Sequence, residues 1–102
     1  MYRRKNRQNE IEIQLEDVEI IMGNDFPRLP YFLSTVFCDN CSGQTTIKDY
    51  TIFLDDTYDI IFDGRCDVCR SSVSRYIETG EGKSTAEAAK HIRIVKTAFI
   101  TK

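Results

Sequence analysis

Apolar and polar residues alternate most clearly from Thr46 to Leu54, with Ile47 on one side and Tyr50, Ile52 and Leu54 on the other. Asp55-Asp56-Thr57 interrupts the pattern with a polar run suited to a hairpin turn, and Tyr58, Ile60 and Phe62 restart it up to a second turn at Asp63-Gly64. Val73, Arg75 and Ile77 then alternate with Ser74, Tyr76 and Glu78. A period of two predicts three strands. Upstream the pattern fits two templates: Ile11, Ile13 and Leu15 alternate as in a strand, while Ile11, Leu15, Val18 and Met22 share one helical face. The β-branched content and the dense like charge favour a strand. Gly23-Asn24-Asp25 reads as a turn, Pro27 and Pro30 as extended irregular chain, and Tyr31 to Phe37 as another strand. Downstream, Thr79-Gly80-Glu81-Gly82 ends the strands, and Ser84-Thr85-Ala86-Glu87 matches a capping box that opens a helix over about 84–98. Its apolar stripe is Ala88, Ile92, Val95 and Phe99, flanked by Lys90, Arg93 and Lys96. The Ile, Val and Thr content after His91 also fits a helix that stops near Lys96 and continues as a strand.

These elements predict a β-rich α+β domain spanning 10–102, preceded by a basic arm over 1–9 that has nothing to bury and is expected to be disordered. The arm holds Arg3, Arg4, Lys5 and Arg7 without an acid, residues 10–25 hold six acids without a base, and the segment after residue 80 is basic again. The net charge of -2 excludes a polycation built for nucleic acid as a whole, and leaves the two basic ends as candidates for an acidic partner. A mean hydropathy of -0.37 and the lack of any apolar run near 18 residues exclude a membrane span. Glu10 and Glu12 stand where the apolar core of a signal peptide would follow the basic start, so a cytoplasmic protein is expected.

All four cysteines fall in two Cys-x-x-Cys pairs, Cys38 with Cys41 and Cys66 with Cys69, separated by 24 residues. A two-residue spacer lets both sulfurs of a pair face one point, and two such pairs make the tetrahedral sulfur cage that zinc prefers. In a reducing compartment such pairs hold metal more often than disulfides. A thioredoxin-like redox pair would open a helix in an α/β pattern, whereas both pairs lie among strands. Iron takes the same ligands, so sulfur ligation alone does not separate it from zinc. Four protein ligands close the coordination sphere, which predicts a structural Zn2+ rather than a catalytic one.

Knuckle, hairpin, knuckle and third strand, in that order over residues 38–78, resemble the zinc ribbon, with extra N-terminal strands and the C-terminal helix built around a three-stranded antiparallel core. The two–twenty-four–two spacing also resembles the C-terminal ribbon of eukaryotic transcription elongation factor S. That resemblance implies a role for Asp55 and Asp56, since an acidic pair at the same hairpin tip enters the polymerase active site in that family. Here Ile52-Phe53-Leu54 replaces the family's polar approach to the tip, the aromatic after the last cysteine is missing, and a long segment follows Cys69. Hairpin tips also favour Asp for turn geometry alone.

No other constellation points to catalysis. Gly80-Glu81-Gly82-Lys83-Ser84 lacks the first glycine of a phosphate loop, having Ile77 there. His91 is the single histidine, and nothing selects Asp59 and Asp63 as a carboxylate site. Arg65, Arg70 and Arg75 around the second knuckle, with the arm residues and Lys90, Arg93 and Lys96, are candidate nucleic-acid contacts, with Tyr50, Tyr58 and Tyr76 able to stack on bases. Asp39, Asp63 and Asp67 among them favour a self-paired surface. The expectation is a non-enzymatic zinc-binding adaptor with a protein partner, serving an assembly that handles nucleic acid and taking no small-molecule substrate. The alternative is an effector that inserts the Asp55-Asp56 tip into a polymerase or nuclease.

Overall fold

A computed structural model describes residues 9–100, with side chains through Ala98. The arm residues Arg3, Arg4, Lys5 and Arg7 lie outside the described residues. The fold is α+β, with six strands in two antiparallel sheets and no barrel. Strand β1 (Ile11–Ile13), β4 (Ile47–Leu54), β5 (Ile60–Cys66) and β6 (Ser72–Ile77) form a four-stranded sheet in the order β1-β4-β5-β6. A separate hairpin pairs β2 (Val36–Cys38) with β3 (Gly43–Thr45). The alternation read from the sequence sets the register: Ile13 lies opposite Ile52, Ile52 opposite Phe62, and Ile60 opposite Ile77. These side chains share the face on which the core is built, and Ile13, Leu54, Ile60 and Phe62 are at most 1% exposed.

The upstream segment follows both of its templates in turn. Ile11 and Ile13 belong to β1, and the chain then enters α1 (Leu15–Met22), so a strand reading of the whole stretch is corrected. Asp17 starts the helix by accepting the Gln14 backbone amide at 2.8 Å, and Val18, Ile21 and Met22 bury its inner face. Pro27 and Pro30 do not hold an extended chain. Gly23–Arg28 is a 3₁₀ turn and α2 (Leu29–Leu33) follows, with Pro30 in the first helical turn, where its missing amide costs no hydrogen bond. The strand expected over Tyr31 to Phe37 therefore shrinks to β2.

Two glycines mark close approaches. Asp63-Gly64 is no turn: β5 runs through it to Cys66, and a Cβ on Gly64 would stand 2.5 Å from the Lys48 carbonyl oxygen. The facing strand bulges between Lys48 and Thr51, with Asp49 at φ 52°. At the other end, a Cβ on Gly80 would stand 2.0 Å from the Thr57 carbonyl oxygen.

The last helix, α3, runs from Lys83 to Ile100 without changing to a strand. It starts before Ser84, with the Gly82 carbonyl accepting the Ala86 amide at 2.8 Å, so Ser84 is inside the helix and not its cap. The buried stripe is Ala89 and Ile92; Val95 is 38% exposed, and the Phe99 side chain lies outside the described set. Polar bonds add to this narrow contact. Arg93 donates to the carbonyls of Leu54 at 3.0 Å and Asn9 at 2.7 Å, and Lys96 pairs with Asp17 at 3.0 Å.

Candidate metal centre

The two Cys-x-x-Cys pairs sit on turns of similar shape. Cys38 ends β2 and Cys41 lies in the loop before β3; Cys66 ends β5 and Cys69 lies in the turn before β6. In each, the residue after the second cysteine is left-handed, Ser42 at φ 57° and Arg70 at φ 68°. The second turn is closed by the Cys66 amide on the Ser71 carbonyl at 2.8 Å and the Arg70 amide on the Cys66 carbonyl at 3.0 Å.

These turns bring the four sulfurs within 4.8 Å of one another. Cys38 and Cys69 are 3.6 Å apart, and Cys41 and Cys66 3.8 Å. Sulfurs at about 2.3 Å from a central zinc would be about 3.8 Å apart at the tetrahedral angle, whereas a disulfide needs about 2.0 Å. The four cysteines could therefore hold a metal ion, and their donor set suits a thiophilic one.

Hydrogen bonds and burial divide the thiols. The Thr45 hydroxyl, 3.1 Å from Cys66 Sγ, and the amides of Cys69 at 3.5 Å and Val68 at 3.3 Å favour the Cys66 thiolate, outweighing burial and holding its pKa below the usual thiol range. The Ser71 hydroxyl and the Asn40 side chain do the same for Cys69, whose pKa falls to about 5. Cys41 is pushed up to about 12, because its bonds with Cys69 and its partial desolvation favour the protonated thiol. At Cys38 the Cys41 amide favours the thiolate, but burial and the neighbouring thiols carry the net shift upward. Four adjacent thiolates repel one another, and a bound divalent cation removes that repulsion.

The other sequence-selected residues are dispersed. Asp55 turns its carboxylate onto its own loop, where Oδ1 accepts the amides of Thr57 and Asp59, both at 3.0 Å, and the Thr57 hydroxyl at 2.8 Å. The loop is then tied down: the Thr79 hydroxyl donates to the Tyr58 carbonyl at 2.6 Å, and the Gly80 amide to Asp59 at 2.8 Å. Asp56 alone of the acidic pair is exposed. Arg65 donates to the Ser72 hydroxyl, Arg70 pairs with Asp49, and Arg75 lies over the Phe32 ring. Arg93 and Lys96 are engaged in anchoring α3, while Lys90 is exposed. Tyr50 packs edge-on against Phe62 and Tyr58 is half-buried, leaving Tyr76 as the exposed ring of the three, at 45%.

Sequence reasoning missed Thr45 and Asn40, which act on the sulfurs of the opposite knuckle. Their signal was local: a β-branched residue and an amide within a few positions of Cys41. No family model, no curated protein and no solved structure matches the chain.

Proposed function

We propose that this chain is a zinc-stabilised, non-catalytic adaptor of a reducing compartment, with a zinc-ribbon centre, that offers its surface to a protein partner in an assembly handling nucleic acid. The carrying observation is the closed set of four sulfurs within 4.8 Å. Such a set leaves no coordination position for water or substrate, so its metal serves the fold. Among the described residues no helix is long and apolar enough to cross a membrane.

The effector reading is less well supported. Asp55 is consumed by its own loop and the tip is tied to Thr79 and Gly80, so Asp56 would have to act alone from a loop that does not swing free.

Native mass spectrometry of the protein expressed in a reducing cytosol tests the metal: one zinc per chain is expected, and a mass lower by the four hydrogens of two disulfides overturns it. Titration with an oligonucleotide at two salt concentrations tests direct phosphate contact. A binding constant that falls steeply with salt assigns the nucleic-acid contact to this chain; one indifferent to salt removes phosphate contact from the reading.

A further inference from the structure

Arg75 breaks the pattern of β6. Its neighbours on the same face, Val73 and Ile77, are 2% and 7% exposed, so a guanidinium stands in a row otherwise buried against the core. The side chain opens into a cavity of about 640 Å³ between β6 and the α1–α2 segment, whose apolar walls include Met22, Phe32 and Ile77. Arg28 enters the same cavity from the 3₁₀ turn. Both guanidinium carbons gather on one ring, 5.2 Å (Arg75) and 6.0 Å (Arg28) from the Phe32 centroid. Neither guanidinium reaches a carboxylate among the described residues, and the Arg75 Nε is buried without a hydrogen-bond partner. Two like charges held on one ring repel, and a buried orphan donor is costly. An anion between them would relieve the repulsion.

We propose that this cavity is a binding site for a carboxylate attached to an apolar body, with Arg28 and Arg75 as its anion-recognising residues. The planar guanidinium fork matches a carboxylate in two-point geometry. Asp25 and Glu78 also line the cavity, both at exposed positions, and they oppose ligands of higher negative charge such as a phosphate dianion. Met22, Phe32 and Ile77 supply the contact for a hydrocarbon or aromatic group. The carboxylate has two sources, a free organic acid or the C-terminus of a partner peptide, and both present the same chemistry to the arginines. The site requires no chemistry at the cysteines.

The test is an amide-resolved NMR titration of the zinc-loaded protein with sodium benzoate, with benzamide as the neutral isostere and inorganic phosphate as the bare anion. Benzoate is expected to shift the amides of Met22, Arg75 and Ile77, with benzamide and phosphate at least about tenfold weaker, as the loss of a charge-assisted hydrogen bond implies. Arg75→Gln and Arg28→Gln should each weaken benzoate by a similar factor while zinc content stays unchanged and the melting temperature does not fall. If Arg75→Gln fails to fold, Arg28→Gln at its exposed position decides. An acetylated pentapeptide ending in a free phenylalanine carboxylate separates the sources: tighter binding than benzoate, lost in the amidated peptide, assigns a partner's C-terminus, and weaker binding assigns a free acid. Equal shifts with benzamide, no shift at all, or benzoate binding unaltered in Arg28→Gln overturns the site. Any of these in a protein carrying one zinc leaves the metal reading untouched.

Discussion

The two knuckles share a backbone shape and differ in nearly everything around it. The second closes the main sheet between β5 and β6, and its sulfurs sit among donors, so the thiols of Cys66 and Cys69 are held below the usual range. The first caps a two-stranded hairpin, and its thiols at Cys38 and Cys41 are held above that range. The donors cross over, however. Thr45 and Asn40 belong to the first hairpin and act on Cys66 and Cys69, and the Asp67 amide of the second knuckle donates to the Thr46 carbonyl at 3.0 Å. Two similar turns have become a half that favours thiolates and a closing half that supplies part of its partner's stabilisation.

The largest test of that asymmetry is ligand removal. Cys66→Ser replaces a fully buried sulfur and should abolish the zinc-bound mass and lower the melting temperature further than any other ligand variant, since metal binding is a large share of stability in small metal domains. Cys41→Ser, at an exposed ligand, should leave weakened zinc binding and a lowered melting temperature. Equal losses in the two variants would erase the distinction.

Next in size is Thr45→Val, which keeps the shape and removes the hydroxyl from Cys66. Zinc affinity measured by chelator competition should fall by about 10- to 100-fold, as when the outer partner of a metal ligand is lost. An unchanged affinity would show that the crossed donor is decorative.

The pH profile of the metal-free protein is a subtler measure. Cys69 has a depressed folded pKa, so its contribution is complete above the unfolded value near 9 and is lost as pH falls towards about 5. Cys41 is shifted the other way, so its contribution is complete below that unfolded value and is lost as pH rises towards about 12. Denaturant midpoints should therefore peak near pH 9 and fall on both sides. A monotonic profile from pH 5 to 12 would contradict the division of the thiols.

The smallest effect concerns the left-handed residues. Ser42→Gly should raise stability by about 0.5 kcal/mol, the relief of a strained φ less the added freedom of the unfolded chain. Arg70→Gly gains the same relief but loses the ion pair with Asp49, and should come out near zero in a thermal melt.

The sequence displayed the parts governed by short-range periodicity: the β4–β5 hairpin, β6, α3 and the paired cysteines. It concealed the parts decided by tertiary contact. Pro27 and Pro30 read as extended chain although proline also opens helices, and the burial of Leu29 in the core favours the second use. The two-residue hydrophobic repeat around Ile13 could not show that Gln14 and Asp17 turn the chain into a helix one residue later. The Val73-Arg75-Ile77 row did show a charge on an inward face, but its meaning depends on Phe32, some forty residues earlier in the chain. The arginines were legible as a group and misleading as one, because each meets a different neighbour.

The Arg93 guanidinium joins Leu54 and Asn9, three regions far apart in the chain. Arg93 follows every cysteine in the chain, so a chain cut short before it keeps all four sulfurs but leaves its first strand unlatched. The residue that fastens the beginning of the fold is among the last of the described segment to arrive. A chain truncated before Arg93 would therefore keep its four sulfur ligands and leave β1 more open to proteases.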